Sequence, residues 1–280
     1  MSILNQITDK EIKKIFHNNE NKRNYIKAFL EKYYPAESLP KRKLDDFIIR
    51  YWNYDKSKTV IRDLFKQTEK YKQNKQAKEK LETLVTSWNE ENLGLMEWPF
   101  QAAMFDSYVH QLNRKNISEL EKDLILSKAA IKFRRIKDLN AYRNDYIEYL
   151  IFEKFDNVIP TFSNVSGVDF YINGEPYDQK VSRSVTKRFI EKHPQNYKAE
   201  ALKQRDIVAK CLYEYQDEER FGFEPRLFVV YLDTDLTTAD IEKSLSDVKF
   251  DSPMQIDFNF THSGTPQTYN TKCFIVLLHK

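Results

Sequence analysis

Two carboxylates and one ammonium fall close together in a short stretch of this chain. The segment GVDFYINGEPYDQK, Gly167 to Lys180, reads as two short strands around Asn173-Gly174. Asn-Gly is among the strongest signals for a two-residue hairpin, because a type I′ turn needs positive φ at both central positions. That loop pairs Ile172 with Glu175, Tyr171 with Pro176, Phe170 with Tyr177 and Asp169 with Asp178. Directly opposed residues share a face, with Cβ atoms about 4.5–5.5 Å apart. Lys180 lies on that face one pleat beyond Asp178, and Gly167 opposite it has no side chain to obstruct it. Val168, Phe170, Ile172, Tyr177 and Val181 take the other face, a core face.

Like charges opposed across a sheet are destabilising unless a proton is shared or a cation lies between them. Two carboxylates with few other donors suit a hard cation, Mg²⁺ foremost, with Asp169 and Asp178 as its ligands. An adjacent Lys180 can orient or help deprotonate a water, or stabilise negative charge developing at phosphorus. The plain alternative is a polar strand end at Asp169 and an exposed Asp178–Lys180 ion pair.

Other elements must hold these residues in place. Residues 1–156 carry apolar residues at helical spacing in ITDKEIKKIFHN, NYIKAFLEKYY, LDDFIIRYWNY, TVIRDLFKQTEKY and LILSKAAIKFRRI. YPAESLP and ENLGLMEWPF are breaks, and KQTEKYKQNKQAKEK is polar all round, an exposed helix or a charged connector. After Asp156 the pattern changes. VIPTFS, GVDFYI and PYDQKVS read as strands, and YKAEALKQRDIVAKCLYEYQ as a helix. RLFVVYLD reads as a buried strand, TTADIEKSLSDV as a Thr-capped helix, and MQIDFNF and TKCFIVLLHK as two more strands. The expected class is therefore α+β (α/β): one mixed sheet flanked by helices, with a mostly helical region over 1–137 and an α/β domain over 138–280.

Asp169, a short gap, then Asp178-Gln179-Lys180 on adjacent strands resembles the PD-(D/E)XK nuclease superfamily, which includes many type II restriction endonucleases. The resemblance covers about residues 140–235 and departs at Val168, where a proline is usual. It implies a restriction-endonuclease-like core and Mg²⁺-dependent hydrolysis of double-stranded DNA at a specific sequence. Asp169 and Asp178 would hold the metal and Lys180 would assist the attacking water. Members often add a Glu from the preceding helix. In AYRNDYIEYLIFEKF, Glu148 falls on an apolar sector near Ile151, so it either reaches the site or sits at the sector's edge. Glu153 falls instead among Tyr142, Tyr146 and Tyr149.

Ser182, Arg183, Ser184, Thr186, Lys187 and Arg188 follow the site and offer donors suited to phosphate contacts, as do Lys203, Gln204 and Arg205 in the next helix. The alternative for each is a solvated basic surface. Basic charge is in surplus over residues 1–90, with 20 Lys/Arg against 13 Asp/Glu, and over 181–210, with 8 against 3. That distribution suits a polyanion, and solvated Lys-rich helix faces explain the first surplus equally well. A restriction role implies a cognate DNA methyltransferase acting on the same site. A palindromic site implies a two-fold homodimer, although a monomer is compatible with the sequence. Two further readings stay open: a structure-selective or nicking nuclease, and a non-enzymatic DNA-binding module.

Other chemistries lack their signatures. There is no GxxxxGK[ST] loop, no HExxH and no GxSxG, and the five histidines are scattered. Cys211 and Cys273 are too few for a cysteine zinc site and read as buried thiols. No leader and no membrane span is evident, so a soluble, cytoplasmic protein is expected.

Overall fold

In a computed structural model describing residues 3–162, 167–216, 221–262 and 264–280, the helical periodicity of the first half resolves into seven helices. These are α1 (Asp9–Ile15), α2 (Asn19–Tyr33), α3 (Leu44–Tyr51), α4 (Tyr54–Phe65), α5 (Glu69–Glu90), α6 (Phe105–Asn113) and α7 (Glu119–Lys154). Thr8, Asn18, Asn53 and Thr68 each accept a backbone N–H of the helix they precede, satisfying donors the helix itself leaves open. Ser118 and Glu121 close a reciprocal capping box at the start of α7. The polar segment around Lys70 is the first part of α5. It is no free connector, because Asn74, Ala77 and Leu81 are buried and Ala77 and Leu81 pack with Leu139 and Tyr146 of α7. The boundary expected at 137/138 falls inside α7, so one continuous helix runs through both segments.

The second half carries β1 (Val158–Pro160), β2 (Phe170–Ile172), β3 (Glu175–Ser182), α8 (Lys187–Lys192), α9 (Tyr197–Lys203), α10 (Arg205–Glu214), β4 (Arg226–Tyr231), α11 (Thr238–Ser246), β5 (Met254–His262) and β6 (Thr265–Leu278). The six strands form one mixed sheet in the order β1-β2-β3-β4-β6-β5. β3 and β4 are parallel, as are β4 and β6, and the other neighbours are antiparallel. β4 is buried throughout, which explains its continuous apolar run. In β5, buried Ile256, Phe258 and Phe260 alternate with exposed Asp257 and Asn259.

Three local expectations are revised. The helix expected over 197–216 is two helices, because Gln204 leaves helical geometry at φ −116° and ψ 54°. The basic stretch after β3 contains a further helix, α8, started by Thr186 as its cap. β6 begins at Thr265, earlier than the apolar run, because its polar first half pairs with β5. Ser163 of VIPTFS lies outside the described residues.

The sheet is covered unevenly. One face packs on α5, α7 and α11 through Phe170, Ile172, Tyr177, Leu227, Val229 and Phe274. The opposite face has two separate covers. α1–α4 pack on Ile159 and Tyr171 of β1 and β2, and α8–α10 pack on Phe228, Val230 and Phe258 of β4 and β5. β3 runs between these two covers.

Arg62 of α4 ties the first cover to the sheet. Its guanidinium donates to the carbonyls of Phe152 at 2.6 Å, Phe155 at 3.0 Å and Val158 at 2.6 Å, and it stacks 4.2 Å from the Phe152 ring centroid. It thereby satisfies the Phe152 carbonyl that the last turn of α7 leaves open, at the favourable end of the helix dipole, and adds a second donor at Phe155, which also accepts the Val158 N–H at 3.2 Å. Replacing Arg62 with Ala is expected to lower unfolding stability by about 2–4 kcal/mol, read as a lower urea midpoint. Arg62→Lys should recover only part of this, since one ammonium cannot span three carbonyls.

Candidate active site

The hairpin forms with the expected turn. Asn173 and Gly174 both have positive φ, 53° and 78°, as a type I′ loop requires. The turn is also anchored: the Asn173 amide donates to the Phe250 carbonyl at 2.7 Å and accepts from Asn157 at 2.8 Å. Three of the four expected pairs form, Ile172 with Glu175, Tyr171 with Pro176 and Phe170 with Tyr177.

The fourth pair differs. The ladder stops at Phe170, and the Asp169 N–H donates to the Tyr177 carbonyl at 2.9 Å. The Asp178 N–H turns the other way, to the Pro225 carbonyl at 3.1 Å, where β3 begins its pairing with β4. The Gln179 N–H then donates to the Asp169 carboxylate at 2.7 Å. Asp169 thus meets β3 through its N–H at Tyr177 and its side chain at Gln179, not as a ladder partner of Asp178. Gly167 is needed for its backbone, at φ 91°; a side chain there would meet nothing within 4 Å, so it is not what gives Lys180 room.

The acids nevertheless interact. Burial pushes the Asp169 carboxyl above the usual carboxylate range; the negative charges of Asp178 and Glu148 add to this, while the Gln179 N–H and the Lys70 ammonium oppose it. Lys180 Nζ lies 2.7 Å from Asp178 Oδ2, with the Asp178 side chain 15% exposed and that of Lys180 51%. Parallel pairing of Lys180 with Phe228 puts Lys180 on the sheet face between the two helical covers, and Asp178 shares that face by alternation.

Glu148 projects from α7 and is held by α5. Lys70 Nζ is 3.1 Å from its carboxylate, and the Asn74 amide donates to it at 3.2 Å. Asp145, one turn earlier, is also raised, chiefly by burial and then by Glu148. Glu153 is engaged elsewhere, accepting from Tyr71 at 3.2 Å and pairing with Lys66 at 3.6 Å. Sequence reading missed Lys70 and Asn74, because a segment polar all round gives no sign of which side faces a carboxylate. Among the described residues, no three His, Cys, Asp or Glu side chains form a metal-binding group. What the structure shows instead is Asp169 raised in part by the charges of Asp178 and Glu148, with a lysine paired to each of those two.

The residues considered for phosphate contact separate into different environments. Thr186 is buried and caps α8, and Ser182 donates to the Ser184 carbonyl at 2.6 Å. Arg183 lies over the Trp98 ring, 4.6 Å from its centroid. Arg188 pairs with Glu214 at 2.8 Å while its side chain stays 64% exposed, and Lys187 is exposed. Lys203 and Gln204 both bond to Glu200, at 3.1 and 2.7 Å, and Arg205 opens α10.

Comparison with protein families, with characterised proteins and with solved structures gives no match to this chain. No helix among the described residues is long and apolar enough to cross a membrane.

Because burial and like charge disfavour its ionised form, Asp169 has a folded-state pKa above its unfolded one. Its contribution to stability is complete below the unfolded pKa, about 3.9, and is lost as pH rises through the folded value. Asp169→Asn keeps an acceptor for Gln179 and removes the charge. It is expected to raise the urea midpoint at pH 7, with the gain vanishing below about pH 4. A less stable D169N at pH 7 would sink this account of the cluster.

Proposed function

We propose that this protein is a Mg²⁺-dependent endonuclease that hydrolyses phosphodiester bonds of double-stranded DNA at a specific sequence. In this reading it is a type II restriction endonuclease of the PD-(D/E)XK kind. The observation that carries the reading is the Asp169 carboxylate held on β3 by the Gln179 N–H at 2.7 Å, next in sequence to Asp178, whose own carboxylate lies 2.7 Å from Lys180 Nζ. The element order adds support. A long helix is followed by three antiparallel strands, then helices, then a strand parallel to the third.

The donor set fits the metal chemically. Asp169 and Asp178 offer hard carboxylate oxygens, and the repulsion between them is the condition a divalent cation relieves. Mg²⁺ would supply Lewis-acid polarisation of the phosphate and a more acidic water. The chain's own work is positional. Lys180, half exposed beside Asp178, reaches a water or a non-bridging phosphate oxygen from the sheet face. Lys70 and Asn74 hold the Glu148 carboxylate in place on α7. Exposed Lys187 and Arg188, which follow β3 on α8, and exposed Lys203 are available to meet the phosphate backbone. A two-fold dimer on a palindromic site and a methyltransferase protecting that site belong to the same proposal.

Digestion of mixed-sequence duplex DNA with Mg²⁺, followed by sequencing of the ends, tests this. Unique cut sites are expected. Cuts that follow DNA structure instead would favour a structure-selective or nicking enzyme. Salt-dependent binding without cleavage under any divalent metal would favour a binding module. Lys180→Ala and Asp178→Asn should each reduce cleavage by about 10²–10⁴-fold. Full activity in either variant would remove these residues from the mechanism.

A further inference from the structure

A cavity of about 150 Å³ lies where α7, the Trp98 stretch and the ends of β3 and β4 meet, lined by Trp98, Ile136, Asn140, Arg143, Arg183 and Tyr231. Four of these side chains carry a buried polar atom with no hydrogen-bond partner among the described residues: Trp98 Nε1, Asn140 Nδ2, Arg143 Nε and the Tyr231 hydroxyl. The first three can only donate, and the hydroxyl can donate or accept. Native interiors rarely leave such atoms unpaired, and four around one cavity call for an acceptor.

The electrostatics agree. Arg143 is 3% exposed and Tyr231 7%, so neither turns to bulk water. The Arg143 Nη2 donates to the carbonyls of Thr234 at 2.9 Å and Leu236 at 3.3 Å, which fixes the guanidinium in place. Arg183 adds a second guanidinium, stacked on Trp98. The exposed Glu97 is the one carboxylate in the lining, so positive charge predominates. Water would satisfy the donors poorly, because each water also needs acceptors for its own protons and these side chains are chiefly donors. The walls include an indole, a phenol ring and Ile136, which favours a flat organic body over a bare inorganic anion. A cavity near this volume accommodates a benzene-sized group.

We propose that this cavity binds a small planar organic carboxylate, its oxygens accepting from Arg143, Asn140 and Tyr231 and its body lying against Trp98 and Ile136. None of its lining residues belongs to the acid cluster, and Arg183 is the one it shares with the residues considered for phosphate contact. Calorimetric titration of the full chain with benzoate tests it, with inorganic phosphate as a second arm. Saturable 1:1 binding of benzoate is expected, weakened about three- to tenfold by Tyr231→Phe and by Arg183→Gln. Both variants should fold, because one removes an unpartnered hydroxyl and the other alters an exposed side chain; circular dichroism checks this. Saturable binding of phosphate but not benzoate would overturn the carboxylate assignment. No saturable binding of either probe, or benzoate binding that both folded variants leave unchanged, would overturn the site.

Discussion

The bond from the Gln179 N–H to the Asp169 carboxylate is the constraint on which the candidate site depends. β2 ends at Ile172 and Phe170, so on that side β3 runs out of backbone partners after Tyr177. Alternation sends the Asp178 N–H toward β4, and the next N–H, that of Gln179, back toward the space β2 has left. A part-buried backbone donor needs an acceptor. The Asp169 side chain supplies it, taking the place a strand residue would otherwise hold. A charge-assisted bond of this kind keeps a carboxylate beside Asp178 despite the repulsion between them. The cluster's electrostatic fault is therefore maintained by the sheet's own hydrogen-bond requirement.

The same logic sets what surrounds the acids. β4 is buried on both faces and β1–β2 are buried by helices from the first half of the chain. On the face opposite α7, the α1–α4 and α8–α10 groups come from distant parts of the sequence and cover different strands. β3 is the strand neither group claims, so its Lys180 keeps half its side chain in solvent. Arg62 holds one of these groups against the α7–β1 junction, and the α8–α10 group follows directly from the end of β3. The position of the site between them follows from how the sheet is covered, with no residue dedicated to opening it.

Much of this was legible in the sequence where a local rule applied. Asn173-Gly174 specified the turn and with it three strand pairs, and the alternation in MQIDFNF specified which side of β5 is buried. Helical angle alone separated Glu148 from Glu153, and the two have different partners: Glu148 is held by Lys70 and Asn74, while Glu153 bonds to Tyr71 and pairs with Lys66. What sequence could not show depended on a second chain segment. The Asp169–Asp178 pairing assumed an isolated hairpin, whereas β4 captures the Asp178 side of β3 through Pro225 and Arg226. Lys70 and Asn74 could not be assigned to Glu148, because nothing local in α5 records that α7 lies against it. The change in pattern after Asp156 coincides with the end of α7, whereas the division expected at 137/138 falls inside that helix.

The pleat also divides the basic stretch that follows the acids. Residues 182 to 188 read in sequence as one cationic surface, but Ser182 pairs with Val230 and Val181 with Val229, which lie on opposite faces of the sheet. Continuing that alternation, Arg183 turns toward the α7 face, where Trp98, Arg143 and Tyr231 meet it. Lys187 and Arg188 are carried back to the other side by α8, whose first turn is capped by Thr186. Adjacent arginines in this stretch therefore serve different environments. Arg183 contributes charge to the cavity lined by Trp98, Arg143 and Tyr231, and Arg188 stays largely in solvent beside Glu214. Charge counted along the chain thus overstates the basic surface near Asp178, because a strand distributes successive residues to two sides of a sheet.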